Sequence, residues 1–425
     1  MPCSRRTALK GIAALGVVGV VAGGVGADPE VDVSRSNDWG DQDPPEAYED
    51  FEVHRVEPDG TDEYPSVQAA VAAAEPRDLI LLEPGVYREA IEVHDTPRLT
   101  IRGVDRNETI VDGEFERYVG IQIRSSNVVV ENLTVRNCAG NGVNWTGGAD
   151  GYRCSHVTAY NNRIYGIYAF DSRHGRFEHC LASGSDDAGF YIGQAQPADA
   201  VIADCVAQNN AMGYSGTNAG GNLVIRNSTF RDNLAGIVPN TLDSQRDPPQ
   251  GHIAGGIRIE NNDVFQNNNL NAPSRTTPYP TYGTGITIAG GTENDVVDNH
   301  VRDHAKFGIA CIPMLDDEFY VPRNNAVMDN VVESSGRVDL ALGAPASGNR
   351  FADNEAGSTR PMALERRAGS RGDPWVTLLA LRDFAQTQYG RDYPRGATED
   401  QPAPDDWPGM SDPEGEPPRR AIGGR

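Results

Sequence analysis

A glycine that opens a short apolar strand returns at a nearly constant interval along this chain, and that interval restricts the folds open to it. The first run of the series is Gly120, Gly142, Gly166, Gly189, Gly213 and Gly236, with spacings of 22, 24, 23, 24 and 23 residues. After an insertion, Gly285 and Gly308 continue it, again 23 apart. A fixed period of this length predicts a solenoid, in which each repeat packs only on its neighbours.

A second apolar segment recurs in every period and predicts how the coils stack. When the repeats are aligned on this segment, one column is apolar; it contains Val130, Cys154, Phe177, Ile202, Ile225, Ile259, Val296 and Val327. Three positions later, a second column changes from apolar and small residues to polar ones; it contains Leu133, Val157, Cys180, Cys205, Ser228, Asn262, Asn299 and Asn330. Like residues stacked about 4.8 Å apart are typical of a parallel β-coil, and an inward asparagine column satisfies its own amides. We therefore predict an all-β fold, a single-stranded parallel β-helix.

Helical periodicity predicts an element at each end of the solenoid. Ser66 is a candidate N-cap before a short amphipathic helix. Near the C-terminus, apolar residues at helical spacing predict a second helix, which we expect to cover the exposed end of the coils; they are Val376, Leu379, Ala380 and Phe384. We assign residues 60–355 to the β-helix and residues 356–425 to this cap helix and a disordered, acidic and proline-rich tail.

The N-terminus has the order of features of an export signal. Arg5 and Arg6 precede an apolar, glycine-rich run that is short for a membrane span. The segment SRRTALK matches the twin-arginine pattern, with Ala8 where a bulkier residue is usual, and predicts export of an already folded protein. We assign residues 1–27 to this signal and the acidic residues 28–59 to a linker; an uncleaved membrane anchor is the alternative.

The charge balance restricts the habitat and the partners. The chain has 61 acidic and 37 basic residues, a formal net charge of −24, and its only lysines are Lys10 and Lys306. Because such a surface stays hydrated where salt screens charge, we interpret it as an adaptation to a high-salt habitat, as in a halophilic archaeon. Nucleic acid is not expected as a partner, since no basic stripe interrupts the negative charge. No transmembrane helix is expected in the mature chain.

These features resemble the right-handed parallel β-helix repeat proteins, the pectin-lyase-like superfamily that includes NosD-type periplasmic proteins. The segment SVQAAVAAAEPRDLILLEPGVYREAIEV with LTIRGV is similar to the N-terminal cap and first coil of that superfamily, including pectin methylesterases. SDDAGFYIGQAQ and NLAGIVPNTLDS are similar to stretches of exported β-helix proteins without an assigned activity. The resemblance covers about residues 60–355 and implies a right-handed helix; it indicates the fold more strongly than the chemistry, because sites are grafted onto this scaffold.

The sequence motifs of the related enzymes are incomplete. The Asp-Phe-Ile-Phe-Gly-like strand of pectin methylesterases and the Asp-Pro-His-Asp motif of alginate epimerases are absent. Asp186-Asp187, Gly251-His252 and Arg258-Ile259 match polygalacturonase-like motifs only in part, with compressed spacing. Chemistry must therefore be argued from individual residues.

Candidate substrate-binding residues lie on the outward face of the glycine-led strands. Strand alternation places Tyr168, Phe170 and Tyr191 outward. Tyr168 and Tyr191 occupy the same place in consecutive coils, about 5 Å apart, either as an exposed platform for sugar rings or as a stack between rungs. A polar row is expected beside them, because three polar residues share another offset from their glycines; they are Asp171, Gln194 and Asn218.

Candidate catalytic residues lie in the adjoining loops; they are His174, Asp186, Asp187, Asp243, Arg246 and His252. Lyase or epimerase action on an acidic sugar needs a base, for which the two histidines are candidates, and a cation, for which Arg246 or an aspartate-bound Ca²⁺ is a candidate. Hydrolysis needs two carboxyl groups on opposite sides of the bond, so the adjacent aspartates would need a partner such as Asp243. Asp186 and Asp187 are also typical turn residues.

Several other residues have two interpretations each. His156, His179 and Asp204 align in consecutive coils, as a metal site or as ordinary ladder residues. Cys180 and Cys205 stack as buried thiols or as a disulfide. Four Asn-X-Ser/Thr sequons are permissive for glycosylation; they begin at Asn107, Asn132, Asn144 and Asn227.

These observations predict an exported protein, extracellular or on the cell surface, that binds a polysaccharide or cell-surface glycan as a carbohydrate-active enzyme of the lyase or hydrolase type. No cofactor is certain, and Ca²⁺ is the one candidate. The alternative is a non-catalytic surface or accessory module, including NosD-like copper assembly, which the eight histidines and six methionines, without a cluster, support weakly.

Overall fold

The chain forms a parallel β-helix in which each coil contributes one strand to each of three parallel sheets. This computed structural model describes residues 52–60, 63–241, 255–274, 281–315, 318–366, 371–389 and 396–404. We call the sheets A, B and C in the order in which a coil enters them, and they contain 12, 11 and 11 strands. The predicted fold class is confirmed.

The strands are numbered in chain order. Sheet A contains β1 (Val53–Val56), β2 (Leu79–Leu82), β5 (Thr100–Gly103), β8 (Val129–Glu131), β11 (Arg153–Ser155), β14 (Arg176–Glu178), β17 (Ala200–Ala203), β20 (Leu223–Arg226), β23 (Ile257–Glu260), β26 (Asp295–Val297), β31 (Ala326–Met328) and β34 (Arg350–Ala352). Sheet B contains β3 (Gly85–Tyr87), β6 (Thr109–Asp112), β9 (Thr134–Arg136), β12 (Thr158–Tyr160), β15 (Leu181–Ser183), β18 (Val206–Gln208), β21 (Thr229–Arg231), β24 (Asp263–Phe265), β27 (His300–Arg302), β32 (Val331–Glu333) and β35 (Glu355–Ala356).

Sheet C contains β4 (Ile91–Val93), β7 (Val119–Ile123), β10 (Asn141–Thr146), β13 (Tyr165–Phe170), β16 (Ala188–Gly193), β19 (Met212–Thr217), β22 (Ala235–Asn240), β25 (Thr284–Ala289), β28 (Phe307–Ile312), β33 (Val338–Leu342) and β36 (Thr359–Arg360). The strands of this sheet from β7 to β28 are the glycine-led ones. Outside the coils lie the antiparallel hairpin of β29 (Met314–Leu315) and β30 (Phe319–Tyr320) and the helices α1 (Val67–Ala73) and α2 (Pro374–Tyr389). Within the described ranges, no helix is long and apolar enough to cross a membrane.

The repeated glycine is required by the close approach of successive coils. A β-carbon on Gly166 would lie 2.7 Å from the carbonyl oxygen of Gly189 and 3.0 Å from the β-carbon of Ala182. A β-carbon on Gly142 would lie 2.6 Å from the carbonyl oxygen of Gly166. The glycine series therefore records a column of tight contacts at the start of sheet C.

The predicted asparagine column is present and satisfies its own amides inside the helix. Asn262 Nδ2 donates to the Ile225 carbonyl oxygen and to Asn299 Oδ1, each at 2.9 Å, and Asn299 and Asn330 continue the pattern. Two further ladders occupy the other corners of the coil; they contain Asn162, Asn210, Asn233 and Asn267, and Asn294, Asn325 and Asn349. Each corner of the coil thus has its own internal amide ladder.

At the N-terminus, the predicted capping helix is confirmed and the boundary of the linker is not. Ser66 accepts a hydrogen bond from the Ala69 amide, and the apolar face of α1 is buried. Strand β1 pairs with β2 and lies inside the segment 28–59 that was assigned to the linker. It is held there by buried Val56 and by a 2.9 Å contact between His54 and Asp78. The expected signal, residues 1–27, lies outside the described residues.

At the C-terminus, the helix is present, but the expectation that it covers the end of the coils is wrong. Val376 and Ala380 of α2 pack on the outward face of sheet C, against Phe307, Ala310 and Val338. The end is instead covered by the 3₁₀ turn Leu364–Arg366, which follows β36. Leu364 joins the main core.

The terminal amide ladder also ends in that turn. Asn354 donates to Glu365 Oε1 through both its backbone nitrogen, at 3.0 Å, and its side chain, at 2.9 Å. A single carboxylate thereby satisfies the last rung, which has no further coil to bond.

Part of the tail that was expected to be disordered is docked on the β-helix. Residues 396–404 contain a 3₁₀ turn, Thr398–Asp400, and Gln401 is buried. The Gln401 carbonyl oxygen accepts from Asn161 Nδ2 at 3.1 Å, and its side chain donates to the Asn271 carbonyl oxygen at 2.7 Å. Glu399 pairs with Arg163. These hydrogen bonds fix a segment whose composition alone predicts disorder.

Candidate functional site

The outward face of sheet C carries a stripe of polar and aromatic side chains over five consecutive coils. The five strands of these coils, from β4 to β16, pair in register. Each of the first four coils contributes two outward residues, two positions apart, and the last coil contributes one. We call it the sheet C stripe; it consists of Glu92, His94, Gln122, Arg124, Asn144, Thr146, Tyr168, Phe170 and Tyr191. Since each coil adds about 4.8 Å, the stripe is about 19 Å long.

The first three coils of the stripe are polar, and side-chain hydrogen bonds link the second coil to the third. Asn144 Nδ2 donates to Gln122 Oε1 at 2.7 Å, and Gln122 Nε2 donates to Thr146 Oγ1 at 3.0 Å. Gln122 and Thr146 are half-buried, and Arg124 beside them is exposed. This part presents fixed amide and hydroxyl groups, one guanidinium and, in the first coil, a carboxylate paired with an imidazole.

The aromatic end of the stripe is a stack between rungs, which decides between the two predicted arrangements. The Tyr168 and Tyr191 ring centroids are 4.8 Å apart with 19° between the ring planes. Because this separation equals the rise of a coil, each ring covers a face of the other. Tyr191 is only 6% exposed, while Tyr168 and Phe170 are half-buried. The prediction of a flat exposed platform is wrong for Tyr191.

A third tyrosine, Tyr165, completes this cluster and connects it to one of the predicted aspartates. Its ring centroid lies 4.7 Å from those of Tyr168 and Tyr191. Burial, followed by the charge of Asp187 and a hydrogen bond to its carboxylate, raises the pKa of Tyr165. Burial also raises the pKa of Tyr168 and of Tyr191. The three hydroxyls therefore stay protonated at neutral pH and are neutral hydrogen-bond donors.

The loop before β16 places Asp186 and Asp187 in a turn at the edge where the chain enters sheet C. The Asp187 amide donates to the Ile164 carbonyl oxygen at 3.1 Å, and its carbonyl oxygen accepts from Met212 at 2.9 Å. The backbone of this loop is therefore bonded to the coils on both sides, and Asp187 additionally reaches Tyr165.

The predicted polar row and His174 lie at the opposite edge of sheet C. Asp171, Gln194 and Asn218 form the predicted polar row, each with a left-handed φ of 50° to 53° that favours small polar residues. His174 follows in the same turn, and its Nδ1 is 3.6 Å from Asp199 Oδ2. A six-residue strand separates the edges by roughly 20 Å, so His174 is not brought to the aspartates.

Three predicted catalytic residues, Asp243, Arg246 and His252, lie outside the described residues. Among the residues that are described, no group of three or more His, Cys, Asp or Glu side chains could hold a metal ion. His156, His179 and Asp204 each hold a left-handed turn position, with φ of 53°, 51° and 53°. They therefore act as corner residues of successive coils. Ca²⁺ stays a prediction.

The cysteines of the β-helix are buried free thiols. The Cys180 amide lies 3.5 Å from Cys205 Sγ, and the Cys180 thiol faces the Cys154 carbonyl oxygen at 3.4 Å. Cys180 and Cys205 stand where later coils have asparagine in the first ladder, as the alignment of the repeats predicted.

The comparisons with known proteins agree with the fold. A family model described as right handed beta helix region matches residues 91–246. The chain is accordingly a right-handed parallel β-helix, as the resemblance implied. No curated protein matches the sequence.

Solved structures with a similar backbone include the A-module of the mannuronan C-5 epimerase AlgE4 of Azotobacter vinelandii, at 16% identity over 68% of this chain and 90% of that one, with a TM-score of 0.47. An alginate lyase from Paenibacillus sp. str. FPU-7 matches at 14% over 72% and 99%, with a TM-score of 0.42. A mannuronic acid specific polysaccharide family 6 lyase from human gut microbiota matches at 12% over 72% and 83%, with a TM-score of 0.41. At such identities the likeness concerns the fold alone.

Sequence reasoning missed the polar half of the stripe and Tyr165. Gln122 and Asn144 stand two residues after their glycines, as Tyr168 and Tyr191 do, so the same offset could have found them. Tyr165 was missed because simple alternation places it inward. In the structure its ring contacts the outward rings of Tyr168 and Tyr191.

Proposed function

We propose that this chain is an exported β-helix protein that binds an extracellular polysaccharide along the sheet C stripe. The observation that carries the proposal is the in-register row from Glu92 to Tyr191, which repeats polar and aromatic groups along about 19 Å of a rigid sheet. An extended glycan is itself a repeat of hydroxyl groups and apolar ring faces. A row of fixed donors, acceptors and aromatic groups complements it without a costly rearrangement.

Export is part of the same proposal. It is supported by the arginine pair and apolar run at the N-terminus and by the acidic, lysine-poor composition. At high salt the Debye length falls to about 3 Å, so the net charge of −24 does not prevent approach of an acidic glycan. Arg124 then supplies the local positive charge for a sugar carboxylate.

Catalysis is the second candidate function, and the contact between Tyr165 and Asp187 favours it. A tyrosine hydroxyl bonded to a carboxylate beside a bound sugar is positioned to exchange a proton. Proton abstraction next to a sugar carboxylate also needs a cation at that carboxylate. Arg124 lies two coils from this pair and in register with Phe170, five residues along the strand from Tyr165. It is therefore about 20 Å away, so the described residues support binding better than turnover.

The test is glycan binding by the intact chain at high salt, measured calorimetrically over a panel of acidic and neutral polysaccharides. Phe170→Ala removes an aromatic group of the stripe and is expected to weaken binding about tenfold. Phe265→Ala is the matched control, because Phe265 is a half-buried outward phenylalanine on sheet B. Equal effects of the two variants would refute the placement on sheet C.

Turnover is followed in the same panel, with and without Ca²⁺, as reducing ends and as absorbance of unsaturated products. If product forms, Asp187→Asn is expected to stop it while binding survives. Binding without any product across the panel would assign the chain to the non-catalytic class. Copper binding in place of glycan binding would favour the accessory alternative.

A further inference from the structure

The four glycosylation sequons are equivalent in sequence and different in the structure. They begin at Asn107, Asn132, Asn144 and Asn227, and each has a threonine two residues later. N-glycosylation attaches a sugar to the asparagine Nδ2, and the modified asparagine lies at the protein surface. The surroundings of that atom and of the threonine therefore separate the sites.

Two of the sequons are closed in the folded chain. Asn132 is buried, and its Nδ2 donates to the carbonyl oxygens of Gly103 at 2.9 Å and Val104 at 3.2 Å. Asn144 is buried, and its Nδ2 donates to Gln122 Oε1. A sugar on either atom would require these hydrogen bonds to break and a coil to open.

The third sequon is closed at its threonine. Asn107 is exposed at the tip of a loop, but Thr109 is fully buried. Its hydroxyl accepts from the Asp105 amide at 3.4 Å and faces the Leu82 carbonyl oxygen. A transferase that must recognise the threonine together with the asparagine cannot reach it without opening the loop.

The fourth sequon is open at both residues. Asn227 is exposed in the turn between β20 and β21, with a left-handed φ of 51°. Its Oδ1 accepts a hydrogen bond from Asn261 Nδ2 at 2.7 Å. This hydrogen bond involves the side-chain oxygen of Asn227 and not the nitrogen that would carry the sugar. Thr229 is a half-buried residue at the start of β21.

Asn132 and Asn227 show that the surroundings, and not the local geometry, decide. Both occupy the corner between sheets A and B, with φ of 54° and 51°. Asn132 is covered because the loop after β5 folds over its corner, where Arg106 reaches Thr158 Oγ1 at 2.9 Å. The corner at Asn227 has the same backbone and an exposed asparagine.

We propose that Asn227 is the N-glycan acceptor of the folded protein and that the other three sequons are not modified once the chain has folded. In the reaction, Asn227 Nδ2 displaces a polyprenyl phosphate from C1 of the first sugar of a lipid-linked oligosaccharide. One C–N bond forms, the C1–O bond breaks, and one amide proton and the lipid phosphate leave. The site lies away from the sheet C stripe, so its glycan leaves the stripe open. It does not depend on the proposed glycan binding.

The test compares the folded full chain, made without glycosylation, with the same chain kept unfolded by carboxymethylation of its buried cysteines. Both are incubated with a single-subunit oligosaccharyltransferase and a lipid-linked oligosaccharide, and glycopeptides are quantified by mass spectrometry. In the folded chain we expect modification at Asn227 about 100-fold above that at Asn132 and Asn144, because those sites are exposed only by opening of the coil. In the unfolded chain we expect all four within about tenfold of one another.

Asn227→Asp is expected to abolish modification of the folded chain without disturbing the fold, because Asp204 holds the same corner one coil earlier with a φ of 53°. Asn324→Asp makes the same change at an exposed corner with a φ of 53° that lies outside any sequon and does not contact Asn227. It is the matched control and is expected to leave modification unchanged. Comparable modification of Asn132 or Asn144 in the folded chain would overturn the proposal. An unmodified Asn227 in the folded chain would overturn it as well.

Discussion

His304 interrupts the asparagine ladder between sheets B and C, and replacing it with asparagine is expected to make the protein less sensitive to acid. The residue is 2% exposed and stands where Asn233 and Asn267 stand in the preceding coils. Its Nε2 donates to the Val264 carbonyl oxygen at 3.2 Å. Burial lowers the pKa of His304 from 6.5 to about 4. Over the pH range between these two values, the His304 imidazole is therefore neutral in the folded chain and protonated in the unfolded chain.

The sign and size of the effect follow from proton linkage. Between the two pKa values the unfolded state binds more protons, so the free energy of unfolding falls as the pH falls from about 6.5 towards 4. With these values, His304 lowers the stability by about 2.5 kcal/mol at about pH 4.5 and by about 0.2 kcal/mol at pH 7. His304→Asn removes this term and restores the amide of the ladder.

The assay is denaturant unfolding of the wild-type chain and the His304→Asn variant at the two pH values. The difference between their unfolding free energies is expected to shift by about 2 kcal/mol in favour of the variant on acidification. Asn233→Ser is the control, because it alters the same ladder with a residue that does not titrate and that Ser185 already provides there. A difference between wild type and His304→Asn that is the same at both pH values would refute the reasoning.

Three further predictions concern the ends and the packing of the coil. Leu364→Ala is expected to lower the free energy of unfolding by about 2–4 kcal/mol because it empties the core under the terminal turn, whereas Leu378→Ala on the exposed face of α2 should change little in the same denaturant titration. Glu365→Ala should cost about 1 kcal/mol by leaving the last rung unbonded, and Glu365→Gln, which keeps an acceptor, should recover most of it. Gly166→Ala should lower the melting temperature through its clash with the Gly189 carbonyl oxygen, with a loss of about 1–3 kcal/mol, and an unchanged midpoint would contradict that contact.

The sequence by itself determined the coil and the residues that line its interior. In a parallel β-helix, residues one period apart are hydrogen-bonded neighbours, so a column in the aligned repeats is also a column in space. For this reason Val130, Asn262 and Gly166 could be assigned from their spacing alone. The two ladders that spacing did not show are interrupted by other residues, such as Ser185 and His304, or by the insertion.

The tertiary structure alone decided what lies over the outside of the coil. Strand alternation predicts that Tyr191 points outward but cannot say that it is covered, and it gives the wrong direction for Tyr165. Helix α2 and the segment around Gln401 reach the coil from far along the chain, where no period relates them to it. Asn132 and Asn227 occupy corners with the same backbone conformation, and only the structure shows that a loop from a neighbouring coil covers Asn132. Local repetition sets the scaffold, whereas access to a surface residue depends on whichever distant segment packs over it.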